Sequence, residues 1–330
     1  MSSKSKRSDK PVQVLGLIHQ RGDKRPCGIC GVTKRMSQAH VPPRCAGNEM
    51  LVKRYRLIAN KHVVGSGRQD LGGIYLYGLC KDCNSDAGKY DGAYGHFAEA
   101  LRPLWVKPWQ IEVLPLISTP SITFDPGAVI RSILLGMCAT GPIIHQRWPD
   151  FPSQLMSGSP LQTPPEIRLY LALARGVSAR VAGPMFGQHV RGPHLRRSAS
   201  GAPLGISAVA SVYFPPLAWE LVHALETALT QDRWVDVSSW TAFKPGEAHV
   251  LHDLVPALPV VCHPRHHPDR DEAWVELLST EICPIVECAN IEGGPPDPLA
   301  PTLNERRQVS MDEFGEILRR IPVDVPSGFG

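Results

Sequence analysis

Two closely spaced cysteine pairs constrain the fold of this chain more than any other feature of its sequence. The pairs are Cys27-Gly-Ile-Cys30 and Cys80-Lys-Asp-Cys83. A two-residue spacer lets both thiolates of a pair reach one metal ion, and two such pairs complete the tetrahedral site that structural zinc prefers. The alternative is four ordinary thiols packed in a core. The repeated spacing favours zinc, with all four cysteines as its structural ligands.

Two polar residues accompany the cysteine pairs. His40 lies between them in the segment Ala-His-Val-Pro-Pro (39–43), and Asn84 follows the second pair directly. Imidazole titrates near neutral pH, so His40 is a candidate general base, although a histidine here could also only support a turn. Asn84 is a candidate oxygen ligand for a hard divalent ion. It is also well suited to cap the N-terminus of a helix without any metal.

This combination of residues resembles the HNH nucleases, the ββα-metal or His-Me finger superfamily, over roughly residues 25–103. The resemblance implies a zinc-stapled, treble-clef-like ββα-metal module in which the four cysteines bind structural Zn²⁺. It implies that His40 activates water and that Asn84 holds a catalytic Mg²⁺ or Mn²⁺. The implied activity is that of an endonuclease, a hydrolase of phosphodiester bonds in DNA. Stand-alone nucleases of this form are typical of bacterial or phage defence and of mobile elements.

Two positions differ from the family's pattern. Ala39 stands where the family usually has an acidic residue or a histidine that supplies a second metal ligand. Tyr75 stands where it usually has an asparagine that orients the base. An alternative function follows from these differences: a catalytically inactive HNH-derived zinc module that binds nucleic acid or a protein partner.

The sequence leaves the second ligand of a catalytic ion open. Gln38 lies on the same side of the predicted strand as His40 and is a weak candidate. Asp91 lies two helical turns after Asn84 on the same face, about 10 Å further along the axis at about 1.5 Å per residue. That is too far for the two side chains to share one ion directly. Asp91 and His96 are therefore predicted to be solvated helix residues.

The charge is distributed unevenly along the chain. Residues 1–70 hold 15 Lys and Arg against 4 Asp and Glu, whereas the whole chain of 330 residues has a net charge of only +4. Because neutralisation of phosphates drives nucleic-acid binding, a nucleic-acid partner is predicted, with DNA favoured over RNA. The residues predicted to contact phosphates are Lys34, Arg35, Arg44, Arg68 and Lys89. The alternative is that these basic loops are solvated and bind nothing.

The remaining features predict a cytoplasmic protein that does not enter a membrane. No apolar run approaches the length of a membrane span. The N-terminal ten residues are rich in Ser and Lys, unlike a secretory signal peptide. Nine cysteines, four of them assigned to metal, favour a reducing compartment over a disulfide framework.

The predicted architecture is α+β with two domains. A basic flexible tail (1–20) precedes the HNH-like module (21–103), a Pro-rich linker (104–120) and a separate α+β domain (121–330) that recognises a target, binds a regulatory protein or forms a homo-oligomer. The predicted elements are helices at Asn84–Leu101, Ala128–Cys138, Glu166–Arg175, Ala218–Leu229 and Asp312–Arg320, and strands at Ser37–Val41, Ile74–Leu79, Ser207–Phe214, Ala248–Leu254 and Glu281–Glu287. Residues 44–72 are predicted to loop out as an insertion.

Overall fold

The structure is a computed structural model, and it describes residues 24–49, 52–56, 64–70, 72–105, 116–183, 185–189, 205–223, 234–261, 274–278 and 285–288. The predicted tail at 1–20 and the predicted helix at Asp312–Arg320 lie outside the described residues. So does the centre of the predicted linker, residues 106–115. The described chain mixes helices and strands, as the α+β prediction requires, and carries its cysteine pairs near the N-terminus.

The N-terminal part contains a small three-stranded sheet and a long helical run. Its elements are β1 (Lys24–Pro26), β2 (Thr33–His40), β3 (Val52–Arg56), β4 (Val64–Asp70), β5 (Tyr75–Cys80), α1 (Lys81–Ala87) and α2 (Asp91–Trp105). The small sheet has the order β1-β2-β5, with antiparallel pairing throughout. A short 3₁₀ turn joins α1 to α2, so the predicted helix is confirmed but begins at Lys81 rather than Asn84.

The C-terminal part is dominated by one large sheet. Its elements are β6 (Leu116–Ser118), β7 (Thr123–Phe124), α3 (Pro126–Cys138), α4 (Ile143–Arg147), α5 (Asp150–Ser157), β8 (Ile167–Ala174), β9 (Ala179–Ala182), β10 (Met185–His189), β11 (Gly205–Phe214), β12 (Leu217–His223), β13 (Val235–Asp236), β14 (His249–Val250), α6 (Leu251–Leu254), β15 (Ala257–Val261), β16 (Trp274–Leu278) and β17 (Ile285–Cys288). The main path of the sheet runs β4-β3-β17-β9-β11-β12-β8-β15-β6. Within the described residues no helix is long and apolar enough to cross a bilayer.

Three element predictions are wrong. The predicted helix at Glu166–Arg175 is strand β8, and the predicted helix at Ala218–Leu229 is strand β12 over its described residues. Both strands lie inside the large sheet and are largely buried on both faces, a pattern that periodicity alone does not distinguish from a buried helix. The predicted strand at Ala248–Leu254 is a two-residue strand, β14, followed by the helical turn α6.

The predicted insertion at 44–72 does not simply loop out. It contains β3 and β4, which pair with each other in antiparallel fashion. β3 also pairs with β17, so the insertion extends the edge of the large sheet. A segment from the N-terminal part thereby completes a sheet built mainly from the C-terminal part.

The apolar core is shared by the two parts of the chain. One cluster of buried side chains includes Met36, Leu79 and Phe97 together with Ile133 and Trp219. α3, predicted at Ala128–Cys138 and confirmed at Pro126–Cys138, packs against α2 at its centre. Its N-terminus is capped by the Asp125 side chain, which accepts a hydrogen bond from Ala128 N at 2.8 Å. The domain boundaries stay a prediction, but these contacts join the two parts through one core.

Candidate metal centre and adjoining pocket

The four predicted zinc ligands lie together in the fold. The Sγ atoms of Cys27, Cys30, Cys80 and Cys83 all lie within 4.8 Å of one another. A tetrahedral zinc with bonds of about 2.3 Å needs sulfur atoms about 3.8 Å apart, so the cluster fits such an ion. The four cysteines can therefore hold a metal ion such as zinc, and the described part of the chain contains no second group of this kind.

The local backbone directs the thiols toward one point. Cys27 and Cys30 flank a tight turn after β1, which Gly31 completes with a φ of 68°. Cys80 ends β5, and Cys83 lies in the first turn of α1. The main-chain N–H groups of Ile29 and Cys80 point at Cys27 Sγ, with N–S distances of 3.5 and 3.4 Å. Such donors stabilise a thiolate, which is the form that binds metal.

Crowding of the sulfur atoms disfavours four free thiolates. Burial and the neighbouring Cys27 raise the pKa of the Cys83 thiol well above its ordinary range. A bound cation removes this penalty because its charge stabilises all four thiolates together. The chemistry of the donor set thus agrees with its geometry.

The end of α3 lies directly against both cysteine turns. A Cβ on Gly28 would lie 1.8 Å from the main-chain oxygen of Cys138, and a Cβ on Gly78 would lie 2.0 Å from that of Ala139. Gly28 N also donates to Gly78 O at 2.9 Å. Only glycine permits so close an approach of three backbones. The metal centre and α3 therefore form one packed unit.

His40 ends β2 beside this unit, and its ring has a main-chain hydrogen-bond partner. Its Nε2 lies 2.9 Å from the main-chain oxygen of Gly72. Because a carbonyl oxygen only accepts hydrogen bonds, Nε2 carries the proton in the neutral ring and Nδ1 carries the lone pair. Tyr75, which faces His40 across the β2–β5 pair, contributes a ring contact at 5.8 Å between centroids.

A buried asparagine that the sequence did not single out closes the loop after His40. Asn48 is fully buried, and its Nδ2 donates to Pro42 O at 2.6 Å and to Ile74 O at 2.8 Å. Its Oδ1 accepts from Ile74 N, also at 2.6 Å. Asn48 therefore ties the chain after His40 to the start of β5, beside the Gly72 carbonyl. Spacing gives no indication of this role, because Asn48 contacts residues 6 and 26 positions away along the chain.

Asn84 lies in the first turn of α1 and points toward β2. Its Nδ2 donates to the main-chain oxygen of Gln38 at 2.9 Å. The register of the β2–β5 pair shifts between Ser37 and Ala39, which frees the Gln38 carbonyl from the ladder. With Nδ2 used in this way, Oδ1 of Asn84 is the atom that can still accept a hydrogen bond or bind a cation, and no hydrogen bond to it is seen among the described residues.

His40 and Asn84 line the same pocket, whose volume is about 420 Å³. Its walls are the segment 38–45, the α1–α2 run and one face of α3. From α3 come Ser132, Ile133 and Gly136. A Cβ on Gly136 would lie 3.4 Å from the Val41 side chain, so α3 lies next to the loop that follows His40. The C-terminal part thus supplies one wall of the pocket.

Asp91 lines this pocket as well, so its prediction as a fully solvated residue is wrong. It is half-buried at the start of α2, and its Oδ1 accepts a hydrogen bond from Ser132 Oγ at 3.0 Å. Burial raises the pKa of its carboxyl. Ala39 faces the core and is only 2% exposed, so it offers no ligand. The sequence could not reveal the position of Asp91, because α3 buries it.

Most of the predicted phosphate-binding cations already have partners within the chain. Lys34 pairs with Asp82 at 3.0 Å, and Arg44, which lines the pocket, pairs with Glu49 at 3.0 Å. Lys89 Nζ donates to Met156 O at 2.7 Å. These contacts are exposed, so exchange for a phosphate costs little. Arg35 is exposed on β2 opposite Lys24, and Arg68 lies in β4 opposite Arg54.

Comparison of this chain with protein families, with curated proteins and with solved structures found no match. Its function is therefore inferred from the chemistry of the site.

Proposed function

We propose that this protein is a metal-dependent endonuclease of the HNH type that hydrolyses phosphodiester bonds in DNA. One observation carries the proposal. The two residues with the chemistry for such a reaction, His40 and Asn84, line one pocket beside a four-cysteine cluster. They are joined through the backbone of β2, since Asn84 bonds to the carbonyl of Gln38, two residues before His40.

His40 acts as the general base in this proposal. Its Nδ1 takes a proton from a water molecule, whose oxygen forms a new bond to phosphorus while the bond to the leaving sugar oxygen breaks. The leaving oxygen is protonated from solvent. The hydrogen bond from Nε2 to Gly72 O stabilises the positive charge that the ring then carries.

Asn84 would hold a catalytic divalent ion, with Oδ1 as its ligand atom. When bound, Mg²⁺ or Mn²⁺ stabilises the negative charge that develops on the phosphate. Mg²⁺ keeps several waters and needs few protein ligands. This suits a site in which Asn84 offers one amide oxygen and the buried Ala39 offers no ligand. Arg44, at the mouth of the pocket, positions a phosphate after leaving Glu49. In the cell, such an enzyme would serve bacterial or phage defence or belong to a mobile element.

A second candidate function is a zinc module that binds nucleic acid, or a protein partner, without cutting it. The burial of Ala39 favours it, because the position that usually supplies a second ligand contributes none. Binding by such a module would persist without Mg²⁺ or Mn²⁺, provided that the structural zinc stays in place.

The test is a cleavage time course on circular DNA in single-stranded and supercoiled double-stranded form. Wild type and His40→Ala are compared with Mg²⁺, with Mn²⁺ and with EDTA. Metal-dependent cutting of either form by wild type, and none by His40→Ala, supports the nuclease. If both proteins retard DNA in a gel and neither cuts, the binding module replaces it. Cutting that survives in His40→Ala contradicts the assignment of His40.

A further inference from the structure

The wall that α3 adds to the pocket restricts what can reach His40. α3 is fixed at three places: Cys138 lies against Gly28, Ala139 lies against Gly78, and Ser132 bonds to Asp91. The first two contacts are between backbones, and they leave no space for even one added carbon atom. α3 is therefore a fixed wall of the site.

The pocket has the volume of a site for one small molecule or one nucleotide. Its 420 Å³ falls within the range of about 300–1,000 Å³ typical of small-molecule sites, enough for about one nucleotide. In a continuous duplex the bases are stacked and paired, and only their edges are accessible, in grooves about 6–12 Å wide. No single nucleotide of such a duplex is available to enter the pocket. An unpaired nucleotide can rotate out of the strand and enter such a pocket, whereas a paired one must first be separated from its partner.

The polar groups of the pocket differ in the ligand chemistry that they suit. His40, Asn84 and Arg44 suit a phosphate. Asp91 follows Asn84 by seven residues, across the 3₁₀ turn that joins α1 to α2, and supplies the carboxylate of the pocket. A carboxylate there repels a phosphate but accepts hydrogen bonds from the amino group of a base. Ser132, which donates to Asp91, keeps that carboxylate in place.

We propose that the pocket takes one unpaired nucleotide of single-stranded DNA, with the phosphate at His40 and Asn84 and the base against Asp91. The proposal rests on the nuclease function above and adds its substrate class. Thymine has no exocyclic amino group to donate a hydrogen bond to the Asp91 carboxylate, so we expect it to bind least well of the four bases. α3 and Asp91 thus determine specificity, while His40 and Asn84 carry out the chemistry.

The first test compares three labelled oligonucleotides of one sequence: single-stranded, fully paired, and paired with a central unpaired bubble. We expect cutting of the single strand and within the bubble, and cutting of the full duplex at least about tenfold slower, since unpairing costs free energy. Equal rates on paired and unpaired DNA would overturn the inference but leave the nuclease intact. No cutting of any of the three with Mg²⁺ or Mn²⁺ would overturn both.

The second test examines Asp91 through base preference. Wild type, Asp91→Asn and Asp86→Asn are compared on oligo-dC and oligo-dT. Asp86 is an exposed carboxylate on α1 outside the pocket, so its variant controls for the loss of a negative charge. We expect the ratio of dC to dT cleavage to fall several-fold only in Asp91→Asn, because an amide can donate to thymine. A ratio that is the same in all three proteins would overturn the contact with Asp91.

Discussion

Asn84 donates a hydrogen bond from Nδ2 to the main-chain oxygen of Gln38 at 2.9 Å. This bond joins the first turn of the helix that follows the second cysteine pair to the strand that ends at His40. The cysteine cluster, the helix and the candidate base are therefore joined by this bond as well as by the pairing of β2 with β5. The positions of His40 and Asn84 therefore depend on the contacts that hold these elements together.

Loss of the Asn48 side chain should strongly destabilise the protein. Asn48→Ala leaves the Ile74 N–H and the Pro42 carbonyl buried without these partners, whereas Ile74 O still accepts from Val41 N, and we expect a cost of about 3 kcal/mol in the free energy of unfolding. Chemical denaturation measures this. Asn84→Ala, the same substitution at a half-buried residue with one hydrogen bond, should cost less than about 1 kcal/mol. Equal effects in the two variants would contradict the role given to Asn48.

A methyl group on Gly28 should separate α3 from the first cysteine turn. Gly28→Ala places a carbon 1.8 Å from the Cys138 carbonyl oxygen, and we expect a loss of about 1–3 kcal/mol of stability in thermal or chemical unfolding. Gly92→Ala is the matched control. It lies in α2 with no atom within 4 Å of the new Cβ, so it should stabilise the helix by about 0.5–1 kcal/mol.

Replacement of one cluster cysteine should release the metal. Cys83→Ser is expected to lose bound zinc and to lower the melting temperature, because metal-binding free energy contributes directly to folding. Elemental analysis of the purified protein gives the zinc content. Cys45→Ser is the control, since Cys45 is exposed and lies outside the cluster. Full zinc content in Cys83→Ser would show that the cluster is not the metal site.

The stability contribution of Asp91 should depend on pH. Burial raises the pKa of its carboxyl above the ordinary value of 3.8, so the protonated form is favoured in the folded state. The contribution of protonated Asp91 to the free energy of unfolding is fully present below the pKa that its carboxyl has in the unfolded chain. It is lost as the pH rises through the higher pKa of the carboxyl in the folded protein. Asp91→Asn removes the ionisation, so its melting temperature should rise relative to wild type between about pH 3 and pH 7. A constant difference across that range would contradict the prediction.

The cysteine cluster could be predicted because its information is local. Two short spacers bring four thiols to the ends of short turns, and the fold needs only to bring the two turns together. The helix α3 was predictable for a related reason: Asp125 and Pro126 mark its start, and a mainly apolar stretch follows, broken only by Arg131 and Ser132.

The β8 and β12 strands could not be predicted from pattern alone. Most of their residues are buried on both faces of the sheet, and apolar residues dominate both strands. The alternation that identifies a half-exposed strand is therefore missing. Only the pairing of β8 with β12 determines that these segments are extended.

The wall of the pocket was equally inaccessible to sequence reasoning. Asp91 and Ser132 lie 41 residues apart, and their contact exists only because α3 packs on α2. Helical spacing puts Asp91 two turns after Asn84, whereas the structure has a 3₁₀ turn between them, and spacing carries no information about what covers Asp91. The contact between the two halves of the chain decides which residues face the pocket.

The most direct test of the central claim is the rate of DNA cleavage by two histidine variants under one condition. His40→Ala and His96→Ala are compared on single-stranded DNA with Mn²⁺, after zinc analysis has shown an intact cluster in both. His96 is exposed on α2 and lies outside the pocket. We predict that His96→Ala cuts at the wild-type rate and that His40→Ala is at least about a hundredfold slower, the scale of general-base catalysis. Equal rates in the two variants would contradict the account.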